Sequence, residues 1–423
     1  MKEGTSLMRG KAVEIGIRRD RLLALILIGS FLCIGFLGGC KAFGSKKGAA
    51  RAEFVPGVTD TEVVIGSCSA LEGPANFLGI QTVLGARAYL DYINDQGGVN
   101  GRSIRLVSYD DGYEPEKAVD CFNRLKDEKV FAAGFFVGTP TAAKHAPLAE
   151  INRIPLVGLF TGAQLLHEPF KRYVINVRAS YYDEAREQVD HLWNDAGIRK
   201  IGVIYQDDAF GKAVLEGVKL ALEKYHSAPA ALGSFARNTL DVDAGIKAVK
   251  SADPQAVVMV GPYAPLAEIV KRSHTAGWNP LFTTVSFVGT EAFIKAAGTN
   301  AEGTVITQVV PPYNQTNLPG VVLYLQVLRK YFPGAEPNFV SFEGFVDAVV
   351  LAEGLQRAGR ELTREKLVDA IESIRDFDVG LGPQLKLDYG PSDHEGFDKV
   401  YYSVVRGGQA IAFTDWKEFA KKR

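Results

Sequence analysis

The 423-residue sequence lacks the signatures that most often mark an enzyme. It holds no G-x-S-x-G elbow, no H-E-x-x-H pair and no G-x-x-x-x-G-K-S/T loop, which removes the signals for a nucleophilic serine, a helix-borne zinc site and a phosphate cradle. Cysteine is limited to four residues and histidine to six. The histidines (His145, His167, His191, His226, His274 and His394) are scattered, and we read them as solvated on surface helices and loops. The cysteine spacing fits no metal site, and no cofactor is expected. Net charge is −1, from 48 basic and 49 acidic residues, with no local block of arginines. That excludes the basic footprint of a nucleic-acid partner.

Long apolar runs are also scarce, and the clearest lies near the start. Leu22 to Gly39 carries no charge, follows Arg18, Arg19 and Arg21, and ends in Leu37-Gly38-Gly39 before Cys40. A basic flank, an apolar stretch and small residues at its end form an export signal. The run is at the short limit for crossing a bilayer, so an uncleaved anchor is the competing reading. Its end resembles the lipobox of bacterial lipoproteins, which implies that Cys40 receives lipid and becomes the N-terminus. Met8 competes with Met1 as the start. Residues 1–39 are thus expected to be the signal and 40–58 a small, polar, basic tether. Cys68 and Cys121 remain for the folded body, in a compartment where disulfides persist.

From about Thr59 roughly 365 residues remain, too many for one compact core and enough for two lobes. Apolar, β-branched runs alternate with helical patterns: 62–67, 103–110, 130–136 and 154–160 read as strands, with helices between, and the last closes a first half. The beat then restarts with strands at 200–206, 256–261 and 281–286 and helices at 209–225 and 264–276. This predicts an α/β chain of two doubly wound parallel-sheet lobes facing one another across a cleft. Cys68 closes the first strand and Cys121 lies on the helix that crosses over it, so the two are expected to bond; two buried free thiols are the alternative. The stretch SYDDGYEP (108–115) leaves a strand through acidic turn residues and starts a helix, whose N-terminal end favours carboxylates.

In order along the chain, VVIGSCSALEGPANFLG, GARAYLDYINDQGGVNGRSIRLVSYDDGYEPEKAV, GTPTAAKHAPLAEINRIPLVGLFTGA, YQDDAFG and EGFVDAVVLAEGLQRAG resemble the leucine/isoleucine/valine-binding family of type I periplasmic binding proteins, which serve ABC importers. The resemblance spans about Thr59 to Thr414. It implies three crossovers, near residues 180, 310 and 388. The lobes are then 59–180 with 311–388, and 181–310 with 389–416. It further implies a small-molecule ligand, an inner-membrane ABC permease as partner, and a lipid-anchored location in the cell envelope, on the periplasmic face if the cell is Gram-negative.

Site residues follow partly from chemistry and partly from the resemblance. GTPTAAKH opens a helix after a strand, so Gly138, Thr139 and Thr141 offer amides and hydroxyls suited to a carboxylate, joined by Thr161 and Gly162 from the next turn. Helix capping and turn formation are the alternative role for these threonines. Phe210, Tyr263, Phe345 and Leu78 match wall positions of the family, with core packing as the alternative. Where amino-acid binders of the family carry an acid for the ligand ammonium, this chain offers Ser286. A buried ammonium without a counter-charge is costly. Either Glu343, Asp207 or Asp208 supplies it, or the ligand is an amide or an aromatic or aliphatic carboxylate. The rival function is a lipid-anchored sensor for such a ligand.

Overall fold

The computed structural model describes residues 54–383 and 385–421. The export signal, the lipid site at Cys40 and the tether up to residue 53 lie outside the described residues. Among the described residues no helix is long and apolar enough to cross a membrane.

The first lobe is built from β1 (Glu62–Ser69), α1 (Asn76–Asp95), β2 (Ser103–Asp110), α2 (Pro115–Asp127), β3 (Ala132–Gly134), α3 (Thr139–Asn152), β4 (Leu156–Val157) and β5 (Val174–Ile175). Its sheet runs β2-β1-β3-β4-β5, every pair parallel. Helices cover such a sheet on both faces, which is why its strands read as nearly continuous apolar runs. The second lobe begins with α4 (Tyr181–Asn194) and continues through β6 (Ile201–Gln206), α5 (Ala209–Glu223), β7 (Leu232–Phe235), α6 (Asp243–Lys250), β8 (Ala256–Val260), α7 (Tyr263–Thr275), β9 (Leu281–Thr284), α8 (Thr290–Ala297) and β10 (Val305–Gln308). The chain then returns to the first lobe with α9 (Pro319–Tyr331), α10 (Phe339–Ala358), α11 (Arg364–Glu372) and the short pair β11 (Phe377–Asp378) and β12 (Lys386–Leu387). It ends in the second with β13 (Tyr401–Arg406), β14 (Gln409–Phe413) and α12 (Trp416–Lys421), giving the sheet order β14-β13-β10-β9-β8-β6-β7.

The first half does not close at Phe160, as the run IPLVGLF suggests. Gly158 takes φ +63°, and a Cβ there would lie 2.5 Å from the Cβ of Asp347. The strand therefore stops at Val157, and β5 forms the edge beyond it. A second glycine requirement fixes α10. A Cβ on Gly85 of α1 would sit 1.7 Å from the Ser341 carbonyl oxygen, and one on Gly344 of α10 would sit 2.1 Å from that of Thr82. These two helices touch backbone to backbone, and the side chains of α10 gain a fixed depth in the molecule.

Cys68 on β1 and Cys121 on α2 are joined, with their Cα atoms 6.0 Å apart. The bond clamps α2 to β1 within a cluster that includes Phe122, Leu125 and Phe136. Peptide mapping of unreduced protein should recover Cys68 and Cys121 in one linked species. Closing a loop of 53 residues, the bond should contribute about 4 kcal/mol by the chain-entropy relation, so reduction should lower unfolding stability by that order. Recovery of the two cysteines in separate peptides would contradict the pairing.

Candidate functional site

In each lobe the winding reverses beside a central strand, between β1 and β3 in the first and between β6 and β8 in the second. Ligands of open α/β sheets bind beyond the carboxyl ends of strands at such points. The loops there carry most of the residues expected from sequence. Gly138 follows β3 with φ +101°, and a Cβ on it would lie 2.2 Å from the Tyr113 ring, so only glycine fits. The Thr139 and Thr161 hydroxyls, from the turns after β3 and β4, meet at 2.7 Å. The amides of Thr139 and Thr141 fall in the first turn of α3, where no intrahelical acceptor exists. The Thr141 hydroxyl, by contrast, donates back to the carbonyls of Val137 (2.6 Å) and Gly138 (2.9 Å), which makes that side chain a turn former. Gly162 is packed tightly, a Cβ there lying 2.7 Å from the Ala179 carbonyl oxygen.

Beside these turns sits a charged bridge that sequence reading missed. Arg178, in the crossover after β5, donates to Glu184 Oε1 at 2.6 Å and to Glu343 Oε1 at 3.1 Å, and its guanidinium also meets Ser286 Oγ. All four are buried, with Glu184 at 0 % exposure. Glu184 further accepts the Ser286 amide at 2.8 Å, the Ser286 hydroxyl at 3.0 Å and the Thr307 hydroxyl. The local sequence explains its placement. Ser180 and Asp183 form a reciprocal capping box that starts α4, which turns Glu184 inward beneath the crossover. Burial pulls the Arg178 guanidinium down, but the charges of Glu343 and then Glu184 outweigh this and hold it above its ordinary range. An arginine in the apolar run VINVRAS directly before an S-x-x-D box is the signal that was available.

The remaining expectations divide. Phe210 is fully buried beside Tyr181 (5.2 Å between ring centroids) and Phe287 (4.5 Å). Phe287, from the second lobe, also packs against Phe160 (5.5 Å) and Tyr113 (5.9 Å) of the first. Tyr263 meets the first lobe at the rim, its hydroxyl donating to Asn76 Oδ1 at 3.2 Å. Leu78 reaches the second-lobe turn at Gly289, where a Cβ would lie 2.6 Å from Leu78 Cδ2. Phe345 is corrected: it points into the first-lobe core against Tyr89 (5.1 Å) and Tyr324 (5.7 Å), because it lies on the side of α10 away from Glu343. Asp207 is exposed and paired with Lys212 at 3.0 Å, and Asp208 caps α5 through the amides of Phe210 and Gly211. Neither is a spare counter-charge.

The histidines are corrected too. His145 is fully buried between Phe122 and Phe136, with Nε2 at 3.1 Å from the Ala118 carbonyl, and burial pushes it down to about 3. His394 is buried against the Val174 carbonyl and Glu372. A periodicity reading counts histidine as polar, whereas α3 buries His145 with one satisfied ring nitrogen and the loop bearing His394 buries it with both satisfied.

Glu343 and, one turn later on α10, Asp347 form a buried acidic pair. Burial raises both carboxyls above the usual range. The negative charge of Glu184 adds to this for Glu343 and that of Glu343 adds to it for Asp347, with Arg178 opposing in each case. Oδ2 of Asp347 is buried without a hydrogen-bond partner. A carboxyl raised by folding binds more protons in the folded than in the unfolded chain. Its contribution is therefore most favourable below the ordinary carboxylate range and is lost as pH rises through the raised value. Asp347→Asn should thus stabilise the protein at pH 8 in denaturant titrations, with a gain that shrinks toward pH 5. A gain independent of pH would contradict the buried-acid account. Arg178→Met, which strands two buried carboxylates, should cost about 3–5 kcal/mol in the same titrations. A loss below about 1 kcal/mol, the level of an exposed pair, would contradict it.

The sequence profile of the periplasmic binding protein family matches residues 62–409. Leu/Ile/Val-binding protein homolog 3 of Brucella melitensis is 23% identical over 361 residues, covering 84% of this chain and 94% of that protein. The crystal structure of a possible leucine/isoleucine/valine-binding protein from Rhodopirellula baltica is 33% identical with a TM-score of 0.81, covering 87% of this chain and 100% of that one. A fatty acid ABC transporter substrate-binding protein from Thermomonospora curvata shares the fold, with a TM-score of 0.77 at 22% identity over 88% of this chain and 97% of that one. The chain therefore belongs to the periplasmic binding protein family, whose members bind solutes rather than transform them.

Proposed function

We propose that the protein is the extracytoplasmic solute receptor of an ABC importer, lipid-anchored through Cys40, and that it captures an amino acid or a related small carboxylate by closing two lobes. The lobes are 59–180 with 311–388, and 181–310 with 389–416. The observation that carries the reading is the pairing of neutral and charged recognition groups at the strand ends. The Thr139 and Thr161 hydroxyls and the first-turn amides of α3 suit a carboxylate without a cation. Tyr181 stands beside the charged bridge: its ring lies 5.4 Å from the Arg178 guanidinium, and its buried hydroxyl has no hydrogen-bond partner among the described residues. Glu343 gives only Oε1 to Arg178, and its other oxygen takes no hydrogen bond among the described residues, which leaves it for a ligand ammonium. Ser286 then serves Glu184 and Arg178 and has no direct duty to the ammonium. Phe160, Phe210 and Phe287 supply apolar walls.

A second reading is favoured by the engagement of both glutamates with Arg178. An aliphatic or aromatic carboxylate without an ammonium would leave that bridge intact. Calorimetry with leucine, valine and phenylalanine, their carboxamides, and the same acids lacking the amino group separates the two. The amino-acid reading predicts at least a tenfold loss, about 1.4 kcal/mol, for the acids lacking an ammonium, and a similar loss for Thr161→Val with leucine. Equal or tighter binding of those acids would replace the amino-acid reading with the second. No binding of any panel member, with no small molecule retained on purification, would overturn the proposed site.

A further inference from the structure

The acidic turn SYDDGYEP lends the Tyr113 ring to the packing around Gly138 and Phe287, but its acids have no part in the proposed ligand site, and it is among the most constrained segments of the first lobe. Asp110 Oδ1 accepts the amides of Leu71 (2.8 Å), Glu72 (2.8 Å) and Gly112 (3.0 Å), and Asp111 Oδ1 accepts that of Tyr113 (2.9 Å). Gly112 and Tyr113 both have positive φ, +59° and +60°. For a bulky side chain this conformation is strained, and it persists where surrounding contacts over-determine it. The outcome is that two successive side chains leave the first lobe toward the second. Tyr113 is fully buried and accepts a hydrogen bond from Gln206 Nε2 at 3.2 Å. Glu114, although it occupies the N-cap of α2, makes no side-chain bond to its own helix. Its carboxylate instead accepts Arg237 at 2.7 Å and Asn238 at 2.6 Å, both on the loop between β7 and α6. Arg237 lies 3.6 Å from Asp208, which in turn accepts Gln206 Nε2 at 2.6 Å. The polar path thus runs from Glu114 through Arg237, Asp208 and Gln206 back to Tyr113, crossing between the lobes twice.

We propose that this ring is a closure clasp: Tyr113 and Glu114 are the first-lobe jaw, Gln206, Asp208, Arg237 and Asn238 are the second, and the ring holds the lobes together whether or not a ligand lies between them. The inference rests on the reading of the lobes as bodies that open and close. It follows from the fact that the Glu114 contacts span bodies whose only covalent links are the crossovers, so opening must break them. Their charged groups are only partly exposed, with side-chain exposures of 38% for Glu114, 23% for Arg237 and 8% for Asp208, so the Coulomb attraction is less screened than at an open surface. The Cys68–Cys121 bond anchors the helix that Glu114 begins, which keeps the first jaw from yielding.

The test uses unliganded protein. Spin labels are attached through an unnatural amino acid at exposed Asp127 in α2 and Lys247 in α6, leaving the disulfide intact, and their separation is measured by pulsed electron resonance. The clasp predicts a population at the separation of this structure. Glu114→Gln and Arg237→Gln should each lower its ratio to the open population about fivefold or more, and the double variant should fall no further than the stronger single, as coupled partners do. Unchanged distributions, multiplicative effects of the two changes, or a wild type without a closed population would each overturn the proposal. Glu114→Gln leaves the second-lobe pairing of Arg237 with Asp208 in place, and Asn238→Ala replaces Arg237→Gln if that variant fails to fold. No ligand enters the measurement, so a failed solute panel and a failed clasp are separate results.

Discussion

A guanidinium removed from water must be compensated, and that requirement at Arg178 organises the centre of the molecule. The compensation comes from three directions: Glu184 at the start of α4, Glu343 on α10, and the turn at Ser286 after β9. Two of these elements belong to the second lobe and one to the first, while Arg178 itself lies on the crossover between them. The bridge therefore needs the crossover, both lobes and the depth of α10 to be correct together. The α1–α10 contact through Gly85 and Gly344 sets that depth, and the capping box at Ser180 and Asp183 sets the entry of α4. Charge burial here defines geometry more than it adds stability, because well-packed apolar replacements of such networks are often at least as stable.

The two sides of the cleft divide their chemistry. Neutral donors from the α3 and β4 turns face a region where a cation would be redundant, since the amides and the helix dipole already favour negative charge. The acids Glu184 and Glu343 are both bonded to one arginine. Aromatic side chains from both lobes pack beside these groups, and Phe287 touches first-lobe and second-lobe rings alike. Such an arrangement excludes water from the charged bridge, which strengthens its electrostatics.

The order of strands and helices was readable because local chemistry specifies it. EVVIGSCS and SIRLVSYD are β-branched, apolar runs bounded by turn residues, and β1 and β2 occupy those positions. Strands of two residues such as β5 carry too little pattern to be seen, and β4 was overread because Gly158 interrupts an otherwise convincing run. The turns bearing Thr139 and Thr161 were legible as strand-to-helix and strand-to-loop transitions. The Arg178 bridge was not, because its partners lie 6, 108 and 165 positions away and only the tertiary fold brings them together. Phe345 and His145 show the limit of residue type as a guide. An aromatic on a helix and a histidine on another can face the core or the cleft, and only the packing of α10 and α3 decides which.

The central claim is that the turns at Thr139 and Thr161 and the acid at Glu343 together form one ligand site closed by the two lobes. A crystal structure of the protein with its tightest-binding solute tests this most directly. The account predicts ligand density between the lobes, with an oxygen within hydrogen-bond distance of the Thr139 or Thr161 hydroxyl and the Arg178–Glu343 bridge lining the other end. Ligand bound on the outer face of either lobe, with the aromatic cluster around Phe287 unchanged, would contradict it.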